Sequence, residues 1–563
     1  MTEAPLSADP TEGSDADLLA AVHSWISQDP DEETRTCLQE LVDDGDFDQL
    51  TELFAAPLAF GTAGLRAPIG AGPARMNRLV VRHATAGFAA WLVEQGHSGG
   101  LVVVGHDARH GSRTFAEDAA TVLVAAGFTV ALSASHVPTP LLAFATTHLG
   151  SVGGVQVTAS HNPAADNGYK VYLGDGAQIV SPADREIEAH IRSVAASPVL
   201  VSSYPNDNIT TWPDDVMHAY LRGISALDPA TSTLTDRSAL CIVYTAMHGV
   251  GAATLHAAMA QCGFAGVHDV PEQRDPNPDF PTVAFPNPEE PGALDLSLQL
   301  ARQLDAHIVI ANDPDADRMT AAIPDPAAPG GWRQLSGDEI GWLLADHLLD
   351  ATSSMGAARL VATTVVSSSL LSVIAAKHGV QYAETLTGFK YLARASMAAP
   401  DLATVLMYEE AIGFSVGQLV HDKDGISAAV VMADLAARVL GDGSTMVARL
   451  DQIAARYGAS RTAQWSIRFD GSDAQGRMVD LMGRLRANPP AHLDGVAVSG
   501  WRDLALGNPP ADVVVIKIGD RGRVVVRPSG TEPKCKVYFE VLGKDSQPSI
   551  SGLRASMEQV LNT

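Results

Sequence analysis

Ser160 closes a short apolar run of β type, VQVTAS, and is followed at once by His161, Asn162 and Pro163. Because proline disfavours a helical conformation in the residue before it, the chain stays extended or turns at this point. A hydroxyl at the carboxyl end of a buried strand lies where α/β folds place their reacting groups. Ser160 is therefore a candidate nucleophile, although a serine in an ordinary turn has the same local sequence.

Three aspartates, Asp313, Asp315 and Asp317, follow the strand-like run HIVIA. Carboxylates at i, i+2 and i+4 of an extended segment point to the same side. Three such anions are costly to hold together unless a hard cation, usually Mg²⁺, lies among them. An EF-hand loop begins similarly, but it needs Gly at position 6 and Glu at position 12, where this chain has Arg318 and Pro324. The pattern predicts a Mg²⁺ site, with a solvated acidic loop as the alternative.

A third segment, RPSGTEPK from Arg527 to Lys534, lies between two strand-like runs. It contains two cations, two hydroxyls, a glycine and free backbone amides, which together suit a phosphate group. The alternative for this segment is a polar β-turn. Near the start of the chain, FGTAGLR ends in Arg66, and its two glycines would let the backbone come close to an anion.

These segments predict one chemistry, the transfer of a phosphoryl group through a covalent phosphoserine. A serine nucleophile divides one difficult displacement into two easier ones. A divalent cation and nearby Arg and Lys side chains would neutralise the charge of the phosphoryl group as it moves.

The segments TASHNP, DPDADR and RPSGTEPK, in this order and spacing, resemble those of the α-D-phosphohexomutases, the phosphoglucomutase/phosphomannomutase superfamily. The resemblance covers most of the chain, from residue 45 to residue 560. It implies an α/β fold with four-domain phosphohexomutase architecture, three similar α/β domains plus a C-terminal α+β domain around a central cleft. We expect the following parts: an N-terminal helical extension at 1–55, domain I with the phosphoserine loop at 56–205, domain II with the metal loop at 214–325, domain III with the sugar-binding loop at 332–455, and domain IV with the phosphate-binding loop at 460–563.

The resemblance also implies roles for individual residues. Ser160 would carry the phosphate and, through a phosphoserine oxygen, would bind Mg²⁺ together with Asp313, Asp315 and Asp317. The substrate phosphate would be held by Arg527, Ser529, Gly530, Thr531 and Lys534.

Several further side chains are candidates for the same site. A lysine can transfer protons if its site lowers its pKa, and Lys170 is our candidate for that step. Arg66 and His161 are further catalytic candidates, while Lys390 and Arg318 are candidate contacts to the phosphate or the sugar.

The sugar-binding loop of the family usually reads Gly-Glu-x-Ser-Gly, whereas this chain has YEEAIGF from Tyr408 to Phe414. Either Glu409 or Glu410 can align with the usual glutamate, and the loop lacks the usual serine. Together with FGTAGLR and KDGIS, which begins at Lys423, EEAIGF resembles the branch called phosphoglucomutase-2. That branch includes phosphopentomutases and a glucose-1,6-bisphosphate synthase.

Composition limits the partners and the compartment. The chain has 563 residues, a formal net charge of −27 and four cysteines without a CxxC motif. The charge discourages binding to nucleic acid or to an anionic membrane. The acidic N-terminus has no apolar core of the kind found in secretory signals, and no apolar run reaches the length of a membrane span. We therefore expect a cytoplasmic protein without nucleic-acid or membrane partners, and without a Cys-rich zinc module. A monomer or a homodimer is expected as well, although composition does not decide between them.

Two other local patterns lead to further expectations. Gly249-Val250-Gly251 imitates a dinucleotide-binding fingerprint, but Thr254 occupies the place of the third glycine, which argues against an NAD-dependent dehydrogenase. Asp107 and Arg109 are expected to form a structural pair near the serine loop. Residues 16–55 are expected to form two helices, and the stretch 202–213 a polar linker.

The leading hypothesis is a phosphosugar mutase that moves a phosphoryl group between C1 and C6 of a hexose phosphate. Glucose is the favoured sugar, mannose is a second, and glucose 1,6-bisphosphate is the expected activator alongside Mg²⁺. A phosphopentomutase and a glucose-1,6-bisphosphate synthase are alternatives within the same chemistry. A phosphatase or a non-catalytic sugar-phosphate binder would be a different class of protein.

Overall fold

The computed structural model describes residues 10–61, 64–195, 197–227, 236–469, 473–507, 509–529, 534–543 and 548–562. The chain divides into two compact units. The first contains the residues up to Ala322 together with Gln418–Asp434, and the second contains Ile323–Gly417 and the residues from Leu435 onward.

The first unit begins with three helices, α1 (Pro10–Gln28), α2 (Glu32–Asp44) and α3 (Phe47–Phe54). The sequence predicted two helices in residues 16–55, whereas the structure has three helices there. The additional interruption, between α2 and α3, is caused by capping residues. Gly45 ends α2 in a left-handed conformation, and the Asp46 side chain then accepts a hydrogen bond from Gln49 at the start of α3. The three helices share a small apolar core that consists of Val22, Leu38, Leu50, Leu53 and Ala71.

A six-stranded sheet with the order β1-β5-β4-β2-β3-β6 follows. Its strands are β1 (Leu65–Pro68), β2 (Leu101–His106), β3 (Thr129–Leu132), β4 (Gly153–Val157), β5 (Asp166–Leu173) and β6 (Ile209–Thr211). Its helices are α4 (Arg78–Glu94), α5 (Ser112–Ala125), α6 (Thr139–His148), α7 (Ala183–Val194) and α8 (Asp215–Leu227). The prediction of a linker at 202–213 is wrong for Ile209–Thr211, because these residues form β6, which pairs in parallel with β3 and extends the sheet.

Parallel pairing places two candidate segments at one edge of this sheet. Strand β2 is parallel to both β3 and β4. Strands β2 and β4 are almost fully buried, as their valine-rich sequences predict. Because parallel strands end at the same edge, Asp107 after β2 and Ser160 after β4 both lie at the carboxyl edge of the sheet.

The second sheet of this unit contains β7 (Ile242–Thr245), β8 (Val267–Asp269), β9 (Ile308–Asn312) and β10 (Met319–Pro324), with α9 (Ala252–Gln261) and α10 (Asp295–Leu304). Strand β9 is parallel to β7 and antiparallel to β10. The pair Asn312 and Met319 closes the β9–β10 hairpin, so that the acidic segment DPDADR forms its loop. All five residues of β9 are buried, which fixes the start of this loop in the core.

The second unit contains a four-stranded sheet with the order β13-β12-β14-β15. Its strands are β12 (Arg359–Thr364), β13 (Gln381–Thr385), β14 (Ala403–Glu409) and β15 (Gly413–Val416). Strand β11 (Trp332–Gln334) precedes this sheet in the chain and is not one of its strands. The helices of this part of the chain are α11 (Gly337–Ala351), α12 (Leu370–His378), α13 (Phe389–Met397), α14 (Gly425–Gly441) and α15 (Met446–Tyr457). Helix α14 contains the division between the units, at Asp434.

The last sheet along the chain is antiparallel and has the order β16-β21-β20-β19-β18-β17. Its strands are β16 (Ser460–Arg468), β17 (His492–Leu493), β18 (Val496–Asp503), β19 (Val514–Ile518), β20 (Gly522–Pro528) and β21 (Lys534–Leu542). Two helices, α16 (Ala474–Ala487) and α17 (Ile550–Asn562), pack on it. Among the helices that the structure describes, none is both long and apolar enough to cross a membrane.

Candidate active site

The Ser160 loop is a strained turn held by one buried arginine. Ser160 is buried and has a φ of 52°, which is a left-handed conformation that serine seldom adopts. The guanidinium of Arg109 donates to the backbone carbonyl oxygens of Ser160 and Pro163, both at 2.7 Å, and also to those of Asn162 and Asp166. One side chain therefore fixes four carbonyl groups of the turn, and this accounts for the persistence of the unusual backbone.

The predicted pairing of Asp107 with Arg109 has a clear geometric basis. Arg109 Nε lies 3.5 Å from Asp107 Oδ2, and Asp107 Oδ1 accepts hydrogen bonds from the Arg109 amide at 3.0 Å and from the Ser112 hydroxyl at 2.6 Å. The ring of Phe280 covers the guanidinium, with 4.8 Å between Cζ and the ring centroid. Asp107 thus orients the arginine that holds the Ser160 loop.

The metal loop meets the candidate nucleophile directly. Ser160 Oγ donates a hydrogen bond of 2.8 Å to Asp313 Oδ2. Asp313, Asp315 and Asp317 are all buried, and one carboxylate oxygen from each lies within 4.8 Å of the others. Burial, followed by the charges of the other two aspartates, raises the pKa of Asp313 well above its usual range. The charged form of Asp313 is therefore costly when only these protein groups surround it.

The aspartates fit a divalent cation. Asp315 Oδ1 and Asp317 Oδ1 are buried and accept no hydrogen bond from any residue that the structure describes. Buried carboxylate oxygens without a donor are unfavourable, and a hard cation removes that cost. Oxygen-only ligands of this kind suit Mg²⁺. The donor set therefore agrees with the cation that the sequence predicted.

Two lysines place positive charge beside Asp315 and Asp317. Lys170 Nζ, from β5, lies 2.7 Å from Asp315 Oδ2 and 2.9 Å from Asp317 Oδ2. Burial works against the charged form of Lys170, but these two carboxylates outweigh it and raise the pKa. Lys423 Nζ lies 3.4 Å from Asp317 Oδ2. In this arrangement Lys170 is a cation, so its predicted part in proton transfer would require the ion pairs to change during the reaction.

Lys423 was not among the sequence candidates for the site. Only its segment, KDGIS, stood out, and no role was attached to it. The structure anchors the segment through Asp422, which accepts hydrogen bonds from Tyr172 at 2.8 Å and from Gln178 at 2.7 Å. Thr139 was missed as well, and its hydroxyl donates to Asp315 Oδ2 at 2.6 Å. No local motif marks Thr139, which starts α6 more than 170 positions before its partner.

The other predicted side chains of the first unit lie around Ser160. Arg66 donates to Asn162 Oδ1 at 2.9 Å, and His161 Nδ1 lies 3.2 Å from Ser160 Oγ. Burial, then the charges of Arg318 and Arg66, lower the pKa of His161 well below its usual range, so its imidazole is neutral. Arg318 Nε lies 4.0 Å from Asp317 Oδ1. These contacts bring Arg66, His161 and Arg318 together with Ser160, Lys170 and the aspartates.

The two glycines of the false dinucleotide fingerprint serve the metal loop. A Cβ on Gly249 would lie 2.3 Å from Pro314 Cα, and a Cβ on Gly251 would lie 3.0 Å from the Cβ of Ala316. The amide of Val250 donates to the Pro314 carbonyl oxygen at 2.8 Å. The absence of side chains at these positions lets one loop pack closely on the other, which explains the glycines without any nucleotide.

We expect Gly249→Ala to destabilise the protein by about 1–3 kcal/mol, because the new methyl group collides with backbone atoms of the metal loop. The change should also weaken the rise in melting temperature that MgCl₂ produces. Thermal unfolding with and without MgCl₂ measures both effects. Gly483→Ala is the matched control, since a Cβ there meets no atom within 4 Å. Equal behaviour of the two variants would show that close packing at Gly249 does not matter.

The remaining candidates belong to the second unit. Glu409 ends β14 and is buried, while Glu410 Oε2 accepts a hydrogen bond of 3.2 Å from the Ser367 hydroxyl. Ile412 has a φ of 56°, a strained conformation for a β-branched residue. Lys390 lies in the first turn of α13 (Phe389–Met397), and its Nζ lies 5.6 Å from the ring centroid of Tyr391.

The predicted phosphate loop is described in part. Arg527 lies near the end of β20, where it is paired with Lys536 of β21. The amide of Ser529 donates to the carbonyl oxygen of Lys534 at 2.8 Å, which brings the two ends of the loop together. Gly530 and Thr531 lie outside the described residues.

Comparison with known proteins gives the family. Models named phosphoglucomutase/phosphomannomutase, alpha/beta/alpha domains I, II and III, match residues 57–197, 218–327 and 336–457, and the model of the C-terminal domain of the same family matches 485–556. The chain is a member of the phosphoglucomutase/phosphomannomutase family. The predicted resemblance and the four-domain α/β architecture are confirmed, and this family member is an intramolecular phosphotransferase of the isomerase class that acts in sugar metabolism.

The relatives of this protein are named after different sugars. The chain is 41% identical to the "Probable phosphomannomutase" of Haemophilus influenzae over 477 residues, which cover 84% of this chain and 94% of the relative. It is 34% identical to the phosphopentomutase of Mus musculus over 617 residues, which cover 100% of this chain and 96% of the relative. A solved structure of a phosphoglucomutase/phosphomannomutase family protein from Burkholderia thailandensis has the same fold, with a TM-score of 0.68, 20% identity and coverage of 90% of this chain and 97% of that one.

Proposed function

We propose that this protein is a phosphosugar mutase that moves a phosphoryl group between C1 and C6 of a hexose phosphate, with glucose as the first candidate sugar. The observation that carries the proposal is the 2.8 Å hydrogen bond between Ser160 Oγ and Asp313 Oδ2. It joins the candidate nucleophile to a carboxylate cluster that is suited to a divalent cation. An aspartyl-phosphate phosphatase would give the serine loop no role.

The reaction would proceed in two transfers. In the first transfer Ser160 carries the phosphate, and the oxygen of a sugar hydroxyl attacks its phosphorus. The bond between phosphorus and Ser160 Oγ breaks, and a nearby base takes up the hydroxyl proton. The sugar then carries two phosphates. After it turns over, Ser160 Oγ attacks the phosphorus at the other end of the sugar, and the released sugar oxygen takes up a proton.

Each group in the site has a proposed part in these transfers. Asp313, Asp315 and Asp317 would hold Mg²⁺, which neutralises charge on the phosphoryl oxygens. Lys170 and Arg66 would stabilise the same charge, and Lys423 joins them by its position beside Asp317. His161 and Lys170 remain the candidate proton carriers.

The second unit supplies the candidates for binding the rest of the substrate. Arg527, Ser529 and Lys534, with Gly530 and Thr531, would bind the phosphate that is not being transferred. Glu409, Glu410 and Lys390 would contact the sugar. Arg318, which belongs to the first unit, would contact a phosphate.

A phosphopentomutase is the second candidate, and two observations favour it. The sugar loop lacks the usual serine and has Ala411 beside Glu410. The similarity to the mouse phosphopentomutase extends over the whole chain. One hydrogen bond of ordinary strength contributes about 1 kcal/mol, so its loss would reduce discrimination between sugars by about fivefold.

The finer description of the molecule belongs to the same proposal. We propose domain boundaries at 56–205, 214–325, 332–455 and 460–563, after a helical extension at 1–55. We also propose a cytoplasmic monomer or homodimer that is activated by glucose 1,6-bisphosphate and has no nucleic-acid or membrane partner.

A panel of sugar 1-phosphates tests the proposal. Glucose, mannose, glucosamine, ribose and deoxyribose 1-phosphates are each incubated with the protein, Mg²⁺ and a trace of glucose 1,6-bisphosphate. We expect glucose 6-phosphate to form fastest, with pentose turnover within about tenfold of it. Release of inorganic phosphate as the main product would indicate a phosphatase, and binding of all the sugars without turnover would indicate a non-catalytic binder.

A further inference from the structure

The connection between β8 and α10, residues 270–294, is rich in proline and irregular in shape. Seven of its 25 residues are prolines, and of these described residues only Pro271–Gln273 form regular structure, a single 3₁₀ turn. Each proline fixes one backbone angle, so an irregular segment of this composition can hold one defined conformation. We call it the β8–α10 segment.

The β8–α10 segment is anchored on the loop that follows β7. The Thr282 hydroxyl accepts a hydrogen bond of 2.9 Å from Gln273 Nε2 and lies 2.8 Å from Nε2 of His248. The Asn277 amide donates to the His248 carbonyl oxygen at 2.9 Å, and the His248 amide donates to the Gln273 carbonyl oxygen at 2.9 Å. His248 and Gln273 are buried, where hydrogen bonds are costly to break, so these bonds give the segment a fixed position.

Phe280 makes the first contact of this segment with the Ser160 loop. Its ring is buried and covers the Arg109 guanidinium at 4.8 Å, and Arg109 is the side chain that holds the carbonyl groups of that loop. Phe280 has a φ of 45°, which is a strained conformation for an aromatic residue. Such strain persists only where the surrounding structure imposes it, which agrees with a tightly fixed segment.

Phe285 makes the second contact, with the residue beside the candidate nucleophile. The rings of Phe285 and His161 meet edge to face, with 6.2 Å between their centroids and an angle of 88° between their planes. His161 Nδ1 lies 3.2 Å from Ser160 Oγ. Phe285 is 36% exposed, His161 is half-buried and Ser160 is 2% exposed, so this series of contacts runs from the surface to the nucleophile. Edge-to-face packing is a favoured arrangement of aromatic rings, and here it restricts rotation of the imidazole.

Glu289 makes the third contact, with Arg318 at the end of the metal loop. Glu289 Oε2 lies 3.7 Å from Arg318 Nη1. The Glu289 amide donates to Oδ1 of the buried Asn287 at 3.2 Å. One segment thus reaches the arginine of the Ser160 loop, the neighbouring imidazole and the metal loop.

A phosphoserine in this site needs protection from water. The cation and the lysines that would make its phosphorus reactive towards a sugar hydroxyl also make it reactive towards water. In the side reaction a water oxygen attacks the phosphorus, the bond to Ser160 Oγ breaks, one proton of the water passes to Oγ, and inorganic phosphate leaves. The charged groups favour both acceptors alike, so the difference must come from access to the phosphorus.

We propose that Phe285 is a positioning residue that holds the His161 imidazole against Ser160 Oγ, and that the two rings together keep water from the phosphoserine. The inference rests on the proposed function, in which Ser160 carries the phosphoryl group. It adds to that function a selectivity for a sugar hydroxyl over water as the acceptor. Phe285 acts through His161 and takes no part in the transfer itself.

Phe285→Ala tests this role, because it removes the ring and leaves the His161 imidazole free to rotate. The protein is loaded by a short incubation with labelled glucose 1,6-bisphosphate and Mg²⁺, the sugar is removed, and release of labelled inorganic phosphate is followed. We expect release to be at least about tenfold faster than in the wild type, and turnover of glucose 1-phosphate to depend more strongly on added bisphosphate. A purely structural role would lower the melting temperature and leave the rate of release unchanged.

Two further variants complete the comparison. Phe285→Leu keeps most of the bulk but has no ring edge, so it should release phosphate about threefold faster than the wild type. It replaces Phe285→Ala if that variant does not fold. Leu304→Ala is the matched control, since Leu304 ends α10 in the same unit and is 39% exposed. We expect it to release phosphate at the wild-type rate.

Failure of this inference differs from failure of the proposed function. If the wild type turns over sugar phosphates and neither Phe285 variant releases phosphate faster, the two rings do not keep water out. If the wild type turns over none of them, the proposed function fails, and reaction of His161 with diethyl pyrocarbonate, located by peptide mapping, decides whether Phe285 positions the imidazole. A modification rate raised at least about threefold in the Phe285 variants but not in Leu304→Ala would support the positioning role, and equal rates in all variants would overturn it.

Discussion

Ser160→Ala is expected to lower mutase turnover by at least about a thousandfold, because it removes the hydroxyl that would carry the phosphoryl group between the two transfers. The fold should remain, since Arg109 holds the loop through backbone carbonyl groups that the substitution does not alter. Turnover with glucose 1-phosphate and thermal unfolding measure the two parts of this expectation. Intact-mass analysis of the active wild type should show one phosphate, located on Ser160 by peptide mapping.

Ser160→Gly separates the chemistry from the strain of the backbone. Glycine adopts the left-handed conformation of residue 160 at no steric cost, so this variant should be at least as stable as Ser160→Ala. It should be equally inactive. If either variant retains wild-type turnover, the covalent mechanism is excluded, whatever the substrate.

Asp315→Asn is expected to lower turnover by about a hundredfold at saturating glucose 1-phosphate. Asp315 uses one oxygen to accept from Lys170 and Thr139, and its other oxygen has no donor among the described residues. An amide must place its NH₂ group either towards Lys170, where two donors repel each other, or towards the cation. Both orientations disturb the site.

Removal of the cation should have an effect of similar or greater size. EDTA should abolish turnover in the wild type and MgCl₂ should restore it, while Asp315→Asn should need a higher MgCl₂ concentration for half-maximal activity. Asp279→Asn is the control, because Asp279 is an exposed carboxylate that pairs with His110. Full activity after thorough chelation would remove the metal from the mechanism.

Local sequence was sufficient to find the candidate nucleophile and the candidate metal ligands. Ser160, Asp313, Asp315 and Asp317 each follow a short apolar strand, and buried strands expose the residues that come just after them at the sheet edge. The pairing of Asp107 with Arg109 was predictable for the same reason, since the two residues are close in sequence and follow β2.

Groups that reach the site from distant segments could not be predicted in this way. Thr139 and Lys423 contact Asp315 and Asp317 only because separate segments fold against the β9–β10 loop. The glycines at 249 and 251 gave a misleading signal, because a close approach of two loops needs the same residue as a close approach to a nucleotide. The strand Ile209–Thr211 was missed because three partly exposed residues have no periodicity to detect.

The first unit is built from two stretches of the chain that are separate in sequence, and this affects the order in which its parts can fold during synthesis. Its segment Gln418–Asp434, which carries Lys423 and the Asp422 that binds Tyr172, follows nearly a hundred residues that belong to the second unit. Domains generally fold from the N-terminus as the chain is made. Here the aspartate cluster cannot gain its second lysine until the ribosome has passed residue 434, so a nascent chain that ends at Ala322 holds the nucleophile and the acidic loop in an unfinished setting.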